Sequence, residues 1–511
     1  METKLQELKT RLMEINDLDS IGLLLGWDQQ VHMPPGGAAA RGRQAATLGK
    51  LSHEKLIDPA IGKLLDELRP YEESLPYDSD DASLIRVTRR KYERAVKVPP
   101  EFMAQFLGHI SQCYEAWAKA RPANDFGSVQ PYLEKTLDLS RQLANYFPGY
   151  EHIADPLIDF ADYGVKASTL KALFADLRAQ LVPLVQAITS QKPADDACLR
   201  KTFPEAPQIE FGVEVAKRFG YDLQRGRLDK SLHPFTTRFS IGDVRITTRV
   251  KENDLSDSLF STLHEAGHAM YEQGIHPALE GTPLATGTSA GVHESQSRLW
   301  ENFVGRSRGF WKFFYPKLQQ VFPEQLGPVP LDTFYRAINK VQRSLIRTDA
   351  DEVTYNLHVM IRFGLELELL EGKLAVRDLP EVWRERYHSD LGILPPDDRD
   401  GVLQDVHWYS GPIGGEFQGY TLGNILNAQF YEAALRAHPE IPAEMEQGKF
   451  DALHGWLKDN IYQHGSKFTT SELVQRVTGG PMSIEPYIHY LWTKYQPLYG
   501  LSGDIPDQPV A

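Results

Sequence analysis

The chain has very little cysteine: only Cys113 and Cys198 occur among its 511 residues. Two cysteines are too few for the disulfide frameworks that stabilise many secreted domains, so the composition favours a reducing cytoplasm. Long apolar runs are also missing, because no stretch approaches the roughly 18 consecutive apolar residues that a membrane-spanning helix needs. The first residues instead place Leu5, Leu8 and Leu12 at helical spacing, which predicts an amphipathic helix rather than a signal peptide. We therefore expect a cytoplasmic protein without a membrane segment.

An excess of positive charge is absent as well. The chain has 55 Lys and Arg against 69 Asp and Glu, a formal net charge of −14. Proteins that bind nucleic acid usually present a basic surface, so this balance argues against that class. It leaves room for a local basic pocket that binds a peptide. Internal repeats and low-complexity tracts are also missing, and 41% of the residues are hydrophobic, as in an ordinary globular protein.

Most of the chain has the period of amphipathic helices, interrupted by Pro-, Gly- or Asp-rich segments that are too short for flexible linkers. We therefore predict a mostly α fold, with residues 1–511 forming one large helical domain whose two lobes surround a groove. Residues 235–250 differ, because β-branched residues alternate on either side of Gly242-Asp243, a typical hairpin turn. This predicts one small β-sheet immediately before the next helix, with an edge strand suited to pairing with an extended peptide.

The next helix carries His264-Glu265-Ala266-Gly267-His268, which has the spacing of the zinc-peptidase motif. Side chains four residues apart lie on one helix face, with Cβ atoms about 5–6 Å apart. His264 and His268 can therefore hold one tetrahedral zinc while Glu265 stands beside the reacting water. The apolar stripe of this helix lies nearly opposite, so the two histidines do not belong to a core face. The alternative is a pair of solvated surface histidines.

That helix is predicted to begin after Asp254 or Ser256 and to end at Gly274, and a second helix follows over residues 290–304. The second helix carries Glu294, a carboxylate suited to zinc, beside His293, a competing ligand; spacing alone does not decide between them. Two histidines and one carboxylate leave a coordination position for water, whose pKa zinc lowers towards about 7. Glu265 is then the general base.

At this point the sequence resembles the carboxypeptidase Taq family of zinc carboxypeptidases. Six motifs carry the resemblance, in this order: His233-Pro234-Phe235, Asp243-Val244-Arg245-Ile246-Thr247, His264 to His268, His293-Glu294-Ser295-Gln296, Ile346-Arg347 with Ala350-Asp351, and Gly401 with Gln404-Asp405 and His407-Trp408. Trp27-Asp28-Gln29 and Met33-Pro34-Pro35-Gly36 extend it towards the N-terminus. The resemblance therefore covers essentially the whole chain.

The resemblance implies an almost all-helical fold with a deep groove, similar to neurolysin and angiotensin-converting enzyme. It implies removal of single residues from peptides with a free C-terminus, with Glu294 as the third metal ligand. It further implies a homodimer that uses Zn²⁺, or Co²⁺ as a substitute. Whether the N-terminal helices form a lid over the groove stays open.

The resemblance also suggests residues that bind the substrate and stabilise the transition state. Arg347 matches the family position that binds the substrate carboxylate, a task suited to the planar guanidinium fork. Arg245, on the strand expected to line the cleft, is the alternative. His407 and Tyr420 resemble the donors that stabilise charge on the carbonyl oxygen in the converting-enzyme superfamily.

Two questions stay open at this level. Arg298 occupies the position at which thermolysin-like enzymes have an aspartate that orients a metal-binding histidine, so Asp349 and Asp351 are the candidates for that role. Two other functions also fit: a zinc oligoendopeptidase of the same fold, which would not need Arg347, and a catalytically silent peptide-binding protein. The intact Glu265 argues against the second.

Overall fold

The computed structural model describes residues 2–503 and 505, and helices dominate it. We number the α-helices in chain order. The first nine are α1 (Glu2–Val31), α2 (Ala38–Leu56), α3 (Pro59–Ser74), α4 (Asp80–Lys97), α5 (Pro100–Ala123), α6 (Phe126–Asn145), α7 (Asp155–Ile158), α8 (Ala167–Thr189) and α9 (Glu205–Phe219). The next seven are α10 (Leu255–Gly274), α11 (Ala290–Arg298), α12 (Arg308–Val321), α13 (Pro323–Leu326), α14 (Leu331–Ile338), α15 (Tyr355–Leu370) and α16 (Leu379–Leu391). The last six are α17 (His407–Ser410), α18 (Gln418–Ala437), α19 (Ile441–Met445), α20 (Asp451–Asn460), α21 (Thr470–Thr478) and α22 (Glu485–Tyr499).

One small sheet interrupts the helices, as predicted. Its strands are β1 (Leu228–Lys230), β2 (Thr236–Ser240) and β3 (Asp243–Thr248), in the order β1-β3-β2. β2 and β3 form the antiparallel hairpin around Gly242, while β1 adds a parallel strand that the sequence pattern did not predict. β2 is therefore an edge strand, and β3 leads into the helix that carries the two histidines.

The apolar core falls into two clusters. The larger one extends from Val98 to Tyr499 and includes the buried faces of α10, α15 and α18. The smaller one joins leucines of α1, α3 and α4 to Ile241 and to the loop that contains Leu284. The N-terminal helices thus have an apolar core of their own, which meets the rest of the chain beside the small sheet. Among the described residues, no helix combines the length and the apolar character that crossing a membrane requires.

Candidate metal centre

The two helices of the predicted metal site begin where the sequence indicates. Asp254 caps α10 by accepting a hydrogen bond from the backbone N–H of Ser256, and Ser289 caps α11 in the same way through Val292. These caps satisfy backbone donors that a helix leaves unpaired at its start. The predicted second helix ends as α11 at Arg298 and continues as a π-helical turn over Leu299–Val304.

Gly267, inside the histidine motif, lets α10 and α11 approach closely. A Cβ atom at this position would lie 2.6 Å from the carbonyl oxygen of Gln296. Gly423 of α18 gives the same room on the other side, because a Cβ there would lie 2.5 Å from Cγ of Glu294. Two glycines therefore allow the close packing that brings the Glu294 carboxylate to the histidines.

The predicted metal ligands lie close together in the structure, and each offers one ligand atom: His264, His268 and Glu294. The facing atoms of the three side chains all lie within 4.8 Å of one another. Oε2 of Glu294 is 3.6 Å from Nε2 of His264 and 3.5 Å from Nε2 of His268. Neighbouring ligands of a tetrahedral zinc are about 3.4 Å apart. The three donor atoms therefore fit a small divalent cation, and their N and O chemistry suits zinc.

Each histidine is held through its other ring nitrogen. Nδ1 of His264 lies 2.9 Å from Oε2 of Glu301, and Nδ1 of His268 lies 2.6 Å from Nδ1 of His293. His293 in turn contacts Oε1 of Glu272 at 2.7 Å. Hydrogen bonds of this kind fix the ring orientation and leave Nε2 for the metal. His293 therefore lies behind the ligand shell and does not compete with Glu294 for the metal.

The suggestion that Asp349 or Asp351 orients a metal-binding histidine is wrong. Asp351 instead accepts backbone hydrogen bonds from Gln342, Val353 and Thr354, which closes a local turn. Asp349 lines the cavity beside the site, but among the described residues it forms no hydrogen bond with either histidine.

Arg298 balances the negative charge of the site. It donates to Glu294 at 2.7 Å and to Glu301 at 3.1 Å. Burial alone would raise the pKa of Glu294, but Arg298 and His264 hold it below its ordinary value; the same opposition gives Glu301 a pKa of about 2. Both carboxylates are therefore ionised at neutral pH, which is the form a cation requires.

Glu265 stands beside this cluster with its side chain almost fully buried. Thr236 of β2 donates a hydrogen bond to Oε2 of Glu265 at 2.6 Å. Burial raises the pKa of the Glu265 carboxyl group. Two cavities, of about 490 Å³ and 640 Å³, meet at His264 and Glu265. The carboxylate therefore lies where the two halves of the groove join.

The second cavity contains Arg347, the residue predicted to bind a substrate carboxylate. Its Nε and Nη2 atoms donate to Asp405 at 2.6 Å and 3.3 Å, and Nη1 donates to Tyr355 at 3.0 Å. Arg362 donates to the same Asp405 at 2.8 Å. Asp405 thus accepts from Nε and Nη2 and Tyr355 accepts from Nη1, so one N–H on each Nη atom remains for a further acceptor.

His407 and Tyr420 lie together, with Nε2 of His407 3.2 Å from the Tyr420 hydroxyl. Nδ1 of His407 is 2.6 Å from Asp405, so the network that holds Arg347 also orients this pair. Of the two, Tyr420 lines the first cavity together with the metal cluster.

Arg245 occupies a different place from the one predicted. It forms a two-pronged ion pair with Asp243, at 2.8 Å for both bonds, and its guanidinium lies 4.4 Å from the ring centre of Trp27 in α1. Among the described residues, Arg245 is not part of the lining of either groove cavity. Its contacts fasten the N-terminal helices to the sheet.

Sequence reasoning missed Glu301, Glu272 and the Arg362–Asp405 pair. Glu301 follows Glu294 by seven residues, which is two helical turns on one face, so this spacing could have indicated it. Glu272 is four residues after His268 and could have been found in the same way. The Arg362–Asp405 pair joins distant segments and leaves no local pattern.

We expect Glu301→Gln to weaken the metal affinity about 10- to 100-fold, because the neutral amide no longer fixes the His264 ring as a charged acceptor. Competition with a chelator that reports free zinc measures this. Asp349→Asn is the matched control, since Asp349 lines the same cavity without contacting a histidine, and its affinity should equal that of the unmodified protein. Equal losses in the two variants would show that Glu301 has no orienting role.

Comparison with known proteins gives a consistent result. The family model for carboxypeptidase Taq (M32) metallopeptidases matches residues 7–495. The chain is 41% identical over 509 residues to thermostable carboxypeptidase 1 of Thermus thermophilus, covering 98% of this chain and 99% of that protein. It is 36% identical over 493 residues to carboxypeptidase 1 of Bacillus subtilis, covering 96% and 97%.

A solved structure agrees with these sequence relatives. The crystal structure of an M32 carboxypeptidase from Deinococcus radiodurans superposes with a TM-score of 0.95 at 51% identity, covering 98% of this chain and 100% of that chain. The family model, the sequence relatives and the solved structure each match nearly the full length of the chain. The chain therefore belongs to the carboxypeptidase Taq (M32) family of metallopeptidases.

Proposed function

We propose that this protein is a zinc carboxypeptidase that releases single amino acids from the free C-terminus of peptides. The observation that carries the proposal is the arrangement of His264, His268 and Glu294 around one point, beside Glu265 and at the junction of two cavities. Family membership supports the reaction class. We propose Co²⁺ as a substitute for Zn²⁺.

Zinc, when bound, supplies a Lewis acid for the scissile carbonyl and lowers the pKa of water. The chain's own part is proton transfer: Glu265 accepts a proton from the attacking water and returns it to the leaving amine. The Thr236 hydroxyl donates to one oxygen of the same carboxylate and so restricts its orientation. Burial raises the pKa of Glu265, which makes the carboxylate a stronger base towards the water proton.

We further propose that Arg347 binds the substrate's C-terminal carboxylate through its Nη1–Nη2 edge. Asp405 and Tyr355 hold the guanidinium in place, so little side-chain freedom is lost on binding. Tyr420, supported by His407, donates a hydrogen bond to the carbonyl oxygen as negative charge develops there. Arg245 is not proposed as a substrate ligand, because its guanidinium pairs with Asp243 and stacks on Trp27.

The peptide upstream of the cleaved bond is proposed to lie along β2. Thr236, Thr237 and Arg238 of this edge strand line the first cavity, and Leu23 of α1 reaches the same space. An edge strand offers unpaired backbone groups to an extended peptide. We therefore propose that residues 1–511 act as one unit, in which the N-terminal helices cover the groove as a lid.

The family resemblance also supports a cytoplasmic homodimer, which we include in the proposal. Cys113 and Cys198 are free and buried, as expected in a reducing compartment. Light scattering on the purified protein tests the dimer, and a monomer at micromolar concentration would contradict it.

A time course with one mixed-sequence peptide tests the reaction itself. Mass spectrometry should show stepwise loss of single residues from the carboxyl end, and the same peptide with an amidated C-terminus should stay intact. Internal fragments, or equal cleavage of the amidated peptide, would instead identify an oligoendopeptidase of the same fold.

Replacing Arg347 with Ala should lower kcat/KM on free-carboxylate peptides about 100-fold, because a desolvated charged contact to the substrate is lost. Steady-state kinetics measures the change. Arg249→Gln is the matched control, since Arg249 lines the same cavity but pairs with Asp257. An unchanged Arg347→Ala enzyme, or an equal loss in Arg249→Gln, would remove Arg347 from the proposed role.

A further inference from the structure

A third cavity, of about 510 Å³, lies away from the metal cluster, between α4 and the larger core. One wall is the basic face of α4, and the opposite wall includes Phe147, Tyr163 and Lys467. Residues 86–97 hold six cationic residues against one acidic residue, in a chain whose formal net charge is −14. Positive charge is therefore concentrated where the N-terminal helices meet the rest of the molecule.

Each cation along this face of α4 lies over an aromatic ring. The guanidinium of Arg86 is 3.7 Å from the ring centre of Tyr77, that of Arg90 is 4.0 Å from Tyr163, and that of Arg94 is 4.5 Å from Phe160. Lys97 follows, 5.9 Å from Phe147. Stacking holds the flat face of a guanidinium and leaves its N–H edges for other partners.

Arg86 uses its edges within the protein, since it donates to the carbonyl oxygens of Tyr77 and Lys467 and to the Ser83 hydroxyl. The edges of Arg90 and Arg94 are largely unused. Among the residues that the structure describes, Arg90 forms no hydrogen bond or ion pair, and the only hydrogen bond of Arg94 goes to the carbonyl oxygen of Asp159, at 2.6 Å. The neighbouring Arg89, in contrast, pairs with Asp66 and Glu72. Asp159 interacts electrostatically with Arg90 and Arg94, but among the described residues its carboxylate forms an ion pair with neither. Partly buried cations with so little compensation are costly, so an anionic partner would stabilise this arrangement.

The carboxylates that line the cavity are already engaged elsewhere. Asp155 accepts from the backbone of Ala167, Asp159 accepts from the backbone of Gly164, and Glu472 accepts from Thr469 and Tyr77. Glu93 also lines the cavity, and its side chain is exposed to solvent. The edges of Arg90 and Arg94 keep their capacity for an external anion.

The spacing of the arginines indicates the shape of the partner. Arg86, Arg90 and Arg94 are successive members of an i, i+4 row, so they rise by about 6 Å per step along the helix. Alternate side chains of an extended peptide share one face at steps of about 6.6 Å. We propose that this cavity is an oxyanion-binding site, whose spacing fits carboxylates on alternate residues of an extended acidic peptide.

The cavity wall is joined directly to the metal-ligand helix. The carbonyl of Ala161 accepts from the backbone of Ala290, and Asp162 accepts from the backbone of Gly291, at the start of α11. An anion bound between α4 and Phe160–Tyr163 therefore bridges the N-terminal helices to the segment that positions Glu294. If the anion belongs to a peptide substrate, the inference rests on the proposed function; a free phosphate ion offers the same chemistry without it.

Calorimetry on the full-length, metal-loaded protein at low ionic strength distinguishes an acidic peptide from free phosphate as the bound anion. One arm uses a short amidated peptide with Glu at alternate positions and a matched Gln peptide, since amidation removes the group that Arg347 is proposed to bind. The other arm uses inorganic phosphate. Arg90→Gln and Arg94→Gln are the test variants. Arg69→Gln is the control, because Arg69 is exposed on α3 and its one ion pair within the described part of the chain is with Asp66.

We expect the Glu peptide to bind at least about tenfold more tightly than the Gln peptide, and Arg90→Gln or Arg94→Gln to abolish the difference while Arg69→Gln retains it. Phosphate binding that is lost in the same two variants, with equal binding of both peptides, supports the site with free phosphate as its ligand. Binding of neither probe, or binding that survives both variants, overturns the proposal. Because binding is measured directly, these outcomes do not depend on whether the protein hydrolyses peptides.

Arg90→Lys covers the possibility that the Gln variants do not fold. It keeps the positive charge over Tyr163 but loses the planar fork, so the preferred probe should bind about tenfold more weakly. Binding equal to that of the unmodified protein would contradict a site built on guanidinium edges.

Discussion

Glu265→Gln is expected to lower kcat by about three orders of magnitude while leaving the metal content unchanged. The amide has the shape of the carboxylate and can still accept the hydrogen bond from Thr236, so the groove keeps its structure. It cannot accept the proton of the attacking water. Steady-state hydrolysis of a free-carboxylate peptide, together with elemental analysis of the same sample, measures both quantities.

The matched control for this variant is Thr236→Ser, which keeps a hydroxyl beside Glu265. Its kcat should fall by less than about tenfold, because the carboxylate remains and only a methyl group is lost. If Glu265→Gln also stays within tenfold of the unmodified enzyme, Glu265 is not the general base, and the proton must pass through another group of the cluster.

Glu294→Gln should have the second large effect, a loss of metal affinity of at least about 1000-fold. The side chain is the proposed carboxylate ligand of the cluster, and Arg298 and His264 hold its pKa below the ordinary value despite burial. The variant also leaves Arg298 with one carboxylate, Glu301, in place of two. We therefore expect a lower melting temperature as well, because a buried cation has lost a partner.

Metal titration of the two glutamate variants distinguishes a ligand from a supporting residue. Glu294→Gln removes a proposed metal ligand, whereas Glu301→Gln is expected only to loosen the His264 ring, so the losses should differ by at least about tenfold. Circular dichroism establishes that both variants are folded before the comparison. Equal affinities in the two variants would mean that Glu294 is not a ligand.

The parts of the fold that could be predicted from the sequence are those encoded over a few residues. The cap at Asp254, the histidine pair one turn apart and the hairpin at Gly242 each depend on neighbours in the chain, and the structure confirms all three. β1 was missed because three residues, Leu228–Lys230, carry too little pattern to distinguish a strand from a loop.

Contacts between distant segments could not be predicted in this way. The strand that carries Arg245 could be predicted, but nothing local indicated that Trp27 of α1 would cover its side chain. Asp405 likewise joins Arg347 to Arg362 across separate elements. The separate apolar core of the N-terminal helices also depends on tertiary packing, and a helical period does not show which helices pack together.

We propose that one cation, held by His264, His268 and Glu294, is required for peptide hydrolysis. The most direct test is to measure zinc content and peptidase activity before and after exhaustive chelation, and again after addition of one equivalent of zinc. The account predicts one zinc per chain, loss of activity on chelation and recovery on addition. A preparation that stays fully active with no metal bound would contradict it.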